Sequence, residues 1–339
     1  MPVARRTYSH YCCPMSISAP FRITVAALTR QRPAMLAALV RSWGEMDIPE
    51  GCEVRCLVVE NDTVPCSESV VQEAGSMPNG VALDYVLETE LGIPFGRNRA
   101  AKEAIANGSD VLAFVDDDET VAQDWLVRLT EGFRASGAML AGAPLRAAPV
   151  HEGASLVQRL MHANIANRYF RKENRAARKA SLQDSGPVTT VTNNWMADLR
   201  LFTEHGLWFD EAMRMTGGTD AKFHAETRAK GLPVGWVKDA FVYEEIPQQR
   251  LSFWYQALRA RDQVNTNLRR KFDESFGSGL ARMMALPLKA LLLVGLLLVL
   301  PFQPQQRLMD VARTLGWVLG ALGILVGYRS ELYHKVTGT

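Results

Sequence analysis

Asp116, Asp117, Asp118 and Glu119 stand in a row directly after the apolar run Val111-Leu-Ala-Phe-Val115. The apolar run reads as a buried strand, and unpaired carboxylates are very costly to bury. The cluster therefore belongs at the C-terminal end of that strand, facing a crevice of the kind in which α/β sheets hold their ligands. Alternate residues of an extended chain share a face, so Asp116 and Asp118 point the same way. Two carboxylates on one side suit a hard divalent cation such as Mg²⁺ or Mn²⁺, itself bound to phosphate oxygens.

Something has to carry that cluster. Phe21–Leu28 reads as a first strand and Glu53–Val59 as a second, with Val81–Leu87 the third and Asp110–Val115 the fourth. Helical patterns intervene. Pro33 suits a helix first turn, and Met35, Leu36, Leu39, Val40 and Trp43 give that helix an apolar face. Gly92-Ile-Pro-Phe-Gly-Arg-Asn98 opens a helix running to about Asn107, and Ala122–Ala135 is helical, with Glu119 leading into it. Strands alternating with helices mean βαβ units and a parallel sheet. Each junction after a strand carries polar groups: Thr29 and Arg30, Glu60 and Asp62, Arg97 and Asn98, then Asp116 and Asp118. In a parallel sheet these junctions share one edge, so the residues converge. Carboxylates suit hydroxyls and base N–H donors, and Arg97 suits a diphosphate. The site reads as built for a nucleotide with two phosphates and a metal.

Downstream, Ser155–Ala180 reads as a long helix with a basic end (Arg168, Arg171, Lys172, Arg175, Arg178, Lys179), suited to phosphate or anionic lipid. Gly186–Ala197 reads as a strand, Thr219–Gly231 as a helix capped by Thr219, and Val234–Tyr243 as another strand. Asn194 and Trp195 fall on the acceptor side, where Trp195 either stacks on a ring or fills the core. Leu251–Lys271 is amphipathic, aromatic and basic, which suits either a membrane interface or packing on the domain.

Bulk properties narrow the class. The 339 residues carry a net charge of +2, so no global field argues for nucleic acid. The five cysteines are odd in number and lack zinc spacing, which reads as reduced thiols. Met1–Pro20 has no apolar core and reads as a flexible tail rather than a secretory signal. Thr29-Arg-Gln-Arg-Pro33 lacks the Gly-x-Gly-x-x-Gly of a dinucleotide site, and no phosphate-loop Gly-x-x-x-x-Gly-Lys motif exists.

Taken in order, Thr29-Arg-Gln-Arg-Pro33, Val58-Val-Glu-Asn-Asp62, Gly96-Arg-Asn98, Phe114-Val-Asp-Asp-Asp118 and Gly217-Gly-Thr-Asp220 resemble family 2 inverting glycosyltransferases of the GT-A fold. The resemblance covers roughly residues 20–270. Glu244-Glu-Ile-Pro-Gln-Gln-Arg250 before an Arg-rich helix is similar to the bacterial exopolysaccharide branch, such as succinoglycan glucosyltransferases. The resemblance implies that Thr29, Arg30, Glu60, Asp62, Arg97, Asp116 and Asp117 serve the nucleotide sugar. It implies Asp118 as metal ligand for Mn²⁺ or Mg²⁺ and Asp220 as catalytic base. The family's base usually follows a Glu, where this chain has Thr219. No His stands near Val242–Glu245, where some relatives supply a metal ligand, so Glu244 or Glu245 would substitute. Glu244 and Arg250 join Asn194 and Trp195 on the acceptor side.

Met283–Phe302 is apolar except for Lys289, and Thr314–Tyr328 carries no charge. The first is near the span of about 20 residues that crosses a bilayer. The expected organisation is therefore a tail (1–20), a GT-A catalytic domain (21–250), an interfacial helix (251–280), and a membrane-associated hairpin and tail (281–339). Lysines and arginines before the hairpin favour a catalytic domain on the cytoplasmic face of a bacterial inner membrane. The expected reaction moves a hexose from a UDP-sugar to a lipid-linked saccharide. The rivals are a nucleotidyltransferase, which would want a Gly-rich basic loop near the N-terminus, and a membrane-anchored scaffold with a relict nucleotide site.

Overall fold

The computed structural model describes residues 19–181, 193–214 and 218–328. The expected N-terminal tail, Gly217, Arg329 and the first part of the strand expected over Gly186–Ala197 lie outside those residues. The chain begins with β1 (Phe21–Thr29), α1 (Pro33–Glu45), β2 (Cys52–Glu60), α2 (Glu68–Ala74), β3 (Ala82–Leu87) and α3 (Ile93–Ala106). It continues with β4 (Val111–Asp116), β5 (Glu119–Val121), α4 (Trp125–Ser136), β6 (Leu140–Gly142), β7 (Leu145–Ala147) and α5 (Leu156–Ser181). Then come β8 (Asn194–Asp198), α6 (Arg200–Thr203), α7 (Thr219–Ala229), β9 (Val234–Trp236) and β10 (Val242–Glu244). Four helices close the chain: α8 (Phe253–Glu274), α9 (Phe276–Met283), α10 (Leu286–Val299) and α11 (Pro304–Leu325).

The main sheet has seven strands in the order β3-β2-β1-β4-β8-β6-β9. Only β8 runs antiparallel to its neighbours. The register aligns Thr29 with Glu60, Glu60 with Leu87, and Leu28 with Asp116, so four strands end level at one edge. Strand alternation divides the core. Ile23, Val25 and Ala27 pack with Trp43 of α1 and Trp125 of α4 on one face. Ala26, Val59 and Phe114 pack with Ala100 of α3, Trp195 and Phe223 on the other. Helix α3 lies so close to β1 that a Cβ on Gly96 would stand 2.1 Å from Leu28 Cδ1, so glycine is needed there.

A second sheet, β5-β10-β7, sits beside the first. It corrects two expectations. Glu119 does not begin a helix: it starts β5 and pairs with Glu244. The strand expected over Val234–Tyr243 is two strands in different sheets, β9 and β10. Residues more than ninety positions apart decide both outcomes, and no local pattern reports such pairing.

The C-terminal helices form a layer of their own. Apolar α10 exposes Leu288, Leu291 and Leu298. Phe276–Val299 and Pro304–Leu325 are long and apolar enough to cross a membrane. Helix α11 starts ten residues earlier than the uncharged stretch that the sequence marked, and its charged first turns dock on α5. Asn164 Nδ2 donates to Pro304 O at 2.9 Å, and Asn164 Oδ1 accepts from Met309 N at 3.1 Å. Further along, Gly316 and Gly320 let α11 lie directly on α8, since Cβ atoms there would stand 2.2 Å from Ala257 O and 2.4 Å from Arg261 O. Helix α8 thus packs on α11 while Trp254 and Leu258 stay exposed.

Candidate active site

The turn after β4 holds its acids by distributing them. Asp117 points back to β1: it accepts from Thr29 Oγ1 at 2.9 Å and from Arg32 Nη1 at 2.9 Å. Asp118 lies between two guanidinium groups, 3.5 Å from Arg32 Nη1 and 3.4 Å from Arg250 Nη1. Arg250 Nη1 is also 3.3 Å from Glu244 Oε1, and Tyr169 donates its hydroxyl to Glu244 Oε2. Glu119 Oε2 accepts from Asp116 N at 2.9 Å and so closes the turn. The turn is therefore a hub where β1, β4, β5, β10 and α5 meet.

Its charge is unbalanced. Burial pushes the Asp116 carboxyl up to about 7, with Asp118, Asp117 and Glu244 adding to the shift and Arg97 opposing it. Burial, then Asp116 and Asp118, raise Glu119 well above the usual carboxylate range. Glu244 is raised by burial and by Asp118, with Tyr169 and Arg250 pulling it back. Among the described residues no three His, Cys, Asp or Glu side chains converge as a ready cation cage. The donor set still fits a hard divalent ion, because Mg²⁺ binds through one or two carboxylates, water and substrate phosphate rather than a full protein cage. Asp118 and Asp116 are the oxygens that would hold it, and the surplus negative charge around them is what such an ion neutralises.

Arg97 lies buried across from Asp116. Its Nη1 donates to Thr219 Oγ1 at 2.7 Å, its guanidinium lies 5.5 Å from the Phe209 ring, and its Nε has no partner. Arg250 Nε is likewise a buried donor without a partner. Among the described residues these two guanidinium donors beside the acid turn lack a partner, which suits an anionic ligand. Thr219 is therefore not the helix cap expected from sequence: Gly218 occupies that position in a left-handed conformation, at φ 97°. The hydroxyl of Thr219 instead ties α7 to Arg97. Asp220 follows it in the first turn, half-buried, and its charge reaches Arg97. Asn98, expected at this edge, is structural: it bonds Phe209 O and N at 2.9 Å and fastens α3 to the loop before α7.

Other expected residues find different work. Glu60 is fully buried and its oxygens are occupied, accepting from Cys66 N at 3.1 Å, Ser67 N at 3.0 Å and Tyr85 OH at 2.7 Å. It holds the loop after β2 and has no oxygen left for a nucleoside. Burial alone would raise Glu60, but the bonds from Cys66, Tyr85 and Ser67 together hold it below the usual range. Asp62 takes Gln31 Nε2 at 2.7 Å and lies 3.5 Å from Arg30 Nε, which places Arg30 and Asp62 together at the mouth of the edge. Asn194 and Trp195 are corrected away from the acceptor side. Asn194 is buried and cross-links three segments: it accepts from Trp125 Nε1 at 2.9 Å and donates to Pro144 O and Ala240 O at 2.8 Å. Trp195 is 1% exposed and stacks on Phe114 at 5.9 Å, so its indole is core. Arg32 and Tyr169 were missed. Arg32 sat unassigned in the Thr29–Pro33 loop. Tyr169 shares a helix face with Lys172, and that spacing was the signal available.

A mostly parallel sheet whose ligand edge carries an acid pair and a buried guanidinium defines a nucleotide-binding fold of the GT-A type. The sequence profile of glycosyltransferase-like family 2 matches residues 19–265, and the chain belongs to that family. It is 29% identical over 238 residues to the succinoglycan biosynthesis protein ExoM of Rhizobium meliloti (strain 1021), covering 70% of this chain and 71% of ExoM. Among solved structures, the fold is similar to mannosyltransferase PcManGT from Pyrobaculum calidifontis in complex with GDP-Man and Mn²⁺. The TM-score is 0.59 at 14% identity, covering 91% of this chain and 88% of that one. The S. aureus TarS fragment in complex with UDP aligns with a TM-score of 0.50 at 14% identity, over 91% of this chain and 92% of that chain. The expected α/β architecture with an apolar C-terminal helix pair is thus the architecture found.

Proposed function

We propose that the protein is a membrane-associated inverting glycosyltransferase that moves a hexose from a nucleotide diphosphate sugar, UDP-linked, to a hydroxyl of a lipid-linked saccharide during polysaccharide synthesis. The observation that carries this reading is the bridge at the strand edge: buried Arg97 lies within electrostatic reach of Asp116 and is bonded to Thr219, next to Asp220. Donor acids and the candidate base therefore meet across one guanidinium.

An acceptor hydroxyl is a poor nucleophile, so Asp220 removes its proton as it attacks the anomeric carbon. The bond to the nucleoside diphosphate breaks on the opposite side, which inverts that centre. Arg97 stabilises the charge growing on the departing diphosphate. Arg30 and Asp62 border the nucleoside. Asp118, with Asp116 beside it, would hold Mn²⁺ or Mg²⁺, which would supply Lewis-acid stabilisation of the same diphosphate. GDP-Man with Mn²⁺ in one structural neighbour and UDP in another support a nucleotide-sugar donor. The ExoM resemblance supports polysaccharide synthesis. The exposed apolar α10 supports attachment to a membrane, and the lysines and arginines before the hairpin favour the cytoplasmic face of the inner membrane, with residues 21–250 as catalytic domain and α8 at the interface.

The test is incubation of the purified full chain with a panel of nucleotide sugars and Mn²⁺, scoring nucleotide release. Release from a UDP-sugar that chelator abolishes, and that Asp118→Ala abolishes with the fold retained, is expected. Metal-independent release, or none from any nucleotide sugar, overturns the reading. Pyrophosphate release from a nucleoside triphosphate in its place identifies a nucleotidyltransferase.

A further inference from the structure

A cavity of about 280 Å³ opens behind Glu244 between α5, α8 and α11. Five cations line it: Arg168 and Lys172 from α5, Arg250, Arg259 from α8 and Arg313 from α11. The lone acid in its wall, Glu244, is already held by Arg250 and Tyr169. Among the described residues no ion pair involves Arg168, Arg259 or Arg313, and the nearby Asp310 is paired with Arg307 at 3.5 Å. Burial, with Arg171 and Arg259 close by, holds Arg168 below the usual guanidinium range. Burial and Arg168 likewise hold Lys172 below the usual ammonium range. Cations do not gather in a half-buried cavity without an anion to share.

A second cavity, of about 410 Å³, shares Ala260, Gln263 and Arg313 with the first and so continues it. Leu292 and Leu296 of α10 and Trp317 of α11 line its far side, alongside the polar groups Lys289, Arg307, Asp310 and Thr314. Through the shared residues the two cavities adjoin. The first is cationic beside Arg250, and the second adds an apolar strip of Leu292, Leu296 and Trp317 next to the exposed apolar helix.

We infer that this groove binds an amphiphile: a phosphate or diphosphate head in the Arg168–Lys172–Arg313 cavity and a linear hydrocarbon tail running over Leu292, Leu296 and Trp317 toward the bilayer. The occupant is the lipid-linked acceptor, because the head lands next to Glu244 and Arg250, one residue contact from the acid turn. This assignment rests on the acceptor class proposed above and adds the place where its lipid phosphate is held. The groove selects by length and charge. A free diphosphate satisfies only the cationic end, and a bilayer phospholipid has two tails and a headgroup that does not extend to the catalytic edge.

The test is titration of the full chain in neutral detergent micelles with farnesyl diphosphate, inorganic diphosphate, phosphatidylglycerol and UDP. Farnesyl diphosphate is expected to bind more tightly than inorganic diphosphate and to resist displacement by phosphatidylglycerol. The double variant Arg168→Gln/Arg313→Gln is expected to weaken farnesyl diphosphate at least about tenfold, the loss of one charge-assisted hydrogen bond, with UDP affinity unchanged. Leu296→Asn should weaken farnesyl diphosphate and leave inorganic diphosphate as it was. Lys172→Gln, which removes a single charge from the cavity, gives a milder version should the double variant misfold, which the UDP titration reports. The inference is overturned by equal affinity for inorganic diphosphate, by ready displacement with phosphatidylglycerol, or by variants that change UDP binding as much as farnesyl diphosphate binding. If UDP fails to bind the unaltered protein while the farnesyl diphosphate results stand, it is the donor reading that has failed.

Discussion

The strand edge and the helical layer solve opposite electrostatic problems. At the edge, carboxylates outnumber cations, and each is tethered: Asp117 to Thr29 and Arg32, Asp118 to Arg32 and Arg250, Glu119 to the Asp116 amide. In the helical layer, cations outnumber carboxylates, and among the described residues Arg168, Arg259 and Arg313 make no ion pair within bonding distance, with Asp310 and Glu244 attracting them only at longer range. The edge is rigid because sheet register sets it. The helical groove depends on how α11 settles against α5 and α8. On the proposed reading, the first region suits a metal-bound diphosphate, and the second leaves a charged space for a ligand that brings its own charge.

The sharpest break of the comparison lies at the edge. Asp118→Ala removes the oxygen between Arg32 and Arg250 and is expected to lower transfer by at least roughly 10³-fold, the several kcal/mol that Lewis-acid stabilisation supplies. Circular dichroism and thermal melting should show the fold intact. Asp220→Asn should lower kcat by about 10²- to 10⁴-fold, the span of general-base catalysis, with UDP affinity unchanged. A loss of UDP affinity instead would move Asp220 to the donor side. Trp195→Ala tests the core beneath the edge: it should cost about 3 to 5 kcal/mol of stability, read by denaturant melting, and change activity only through unfolding. An acceptor-KM effect in a stably folded Trp195 variant would contradict its placement.

Smaller effects separate structure from chemistry. Glu60→Gln should cost about 1 to 3 kcal/mol by leaving buried donors unsatisfied. The sign of its pH dependence follows from its depressed folded pKa. Glu60 contributes stability above its unfolded value of 4.5, and that contribution disappears as pH falls through the lower folded value. Acid melting below about pH 4.5 should therefore be shallower in Glu60→Gln than in the unaltered chain. In the helical layer, Gly320→Ala should loosen α11 from α8 and lower micelle-bound thermal stability, with donor hydrolysis retained, since no catalytic group lies on that seam.

The two regions also differ in what the sequence discloses. Asp116 and Asp118 are legible as a cluster because acids after an apolar run have few other places to go, but the expected strand alternation does not place them, since β4 ends at Asp116 and residues 117 and 118 form a turn. Arg97 is placed at the strand edge by the βα pattern, whereas Asp220 is singled out only through the family resemblance. Glu119 is not legible: its strand exists only because Glu244, far away in the chain, pairs with it. Asn194 and Trp195 look like ligand residues by type, and burial among Phe114, Phe209 and Phe223 overrides type. The groove is invisible from any single segment, because Arg168, Arg250 and Arg313 meet only through helix packing.

The acid turn joins β4 of the large sheet to β5 of the small one, and Arg250 couples Asp118 to Glu244 on β10. The proposed donor and acceptor sides therefore lack a clean seam. An engineer who grafts the segment from β10 to α11 of another family member to change acceptor choice has to carry the partners of residue 118 with it. Otherwise the graft leaves an acid in the donor pocket without its counter-charge. Specificity transplants in this chain are expected to work in units that include the turn and to fail in units that stop short of it.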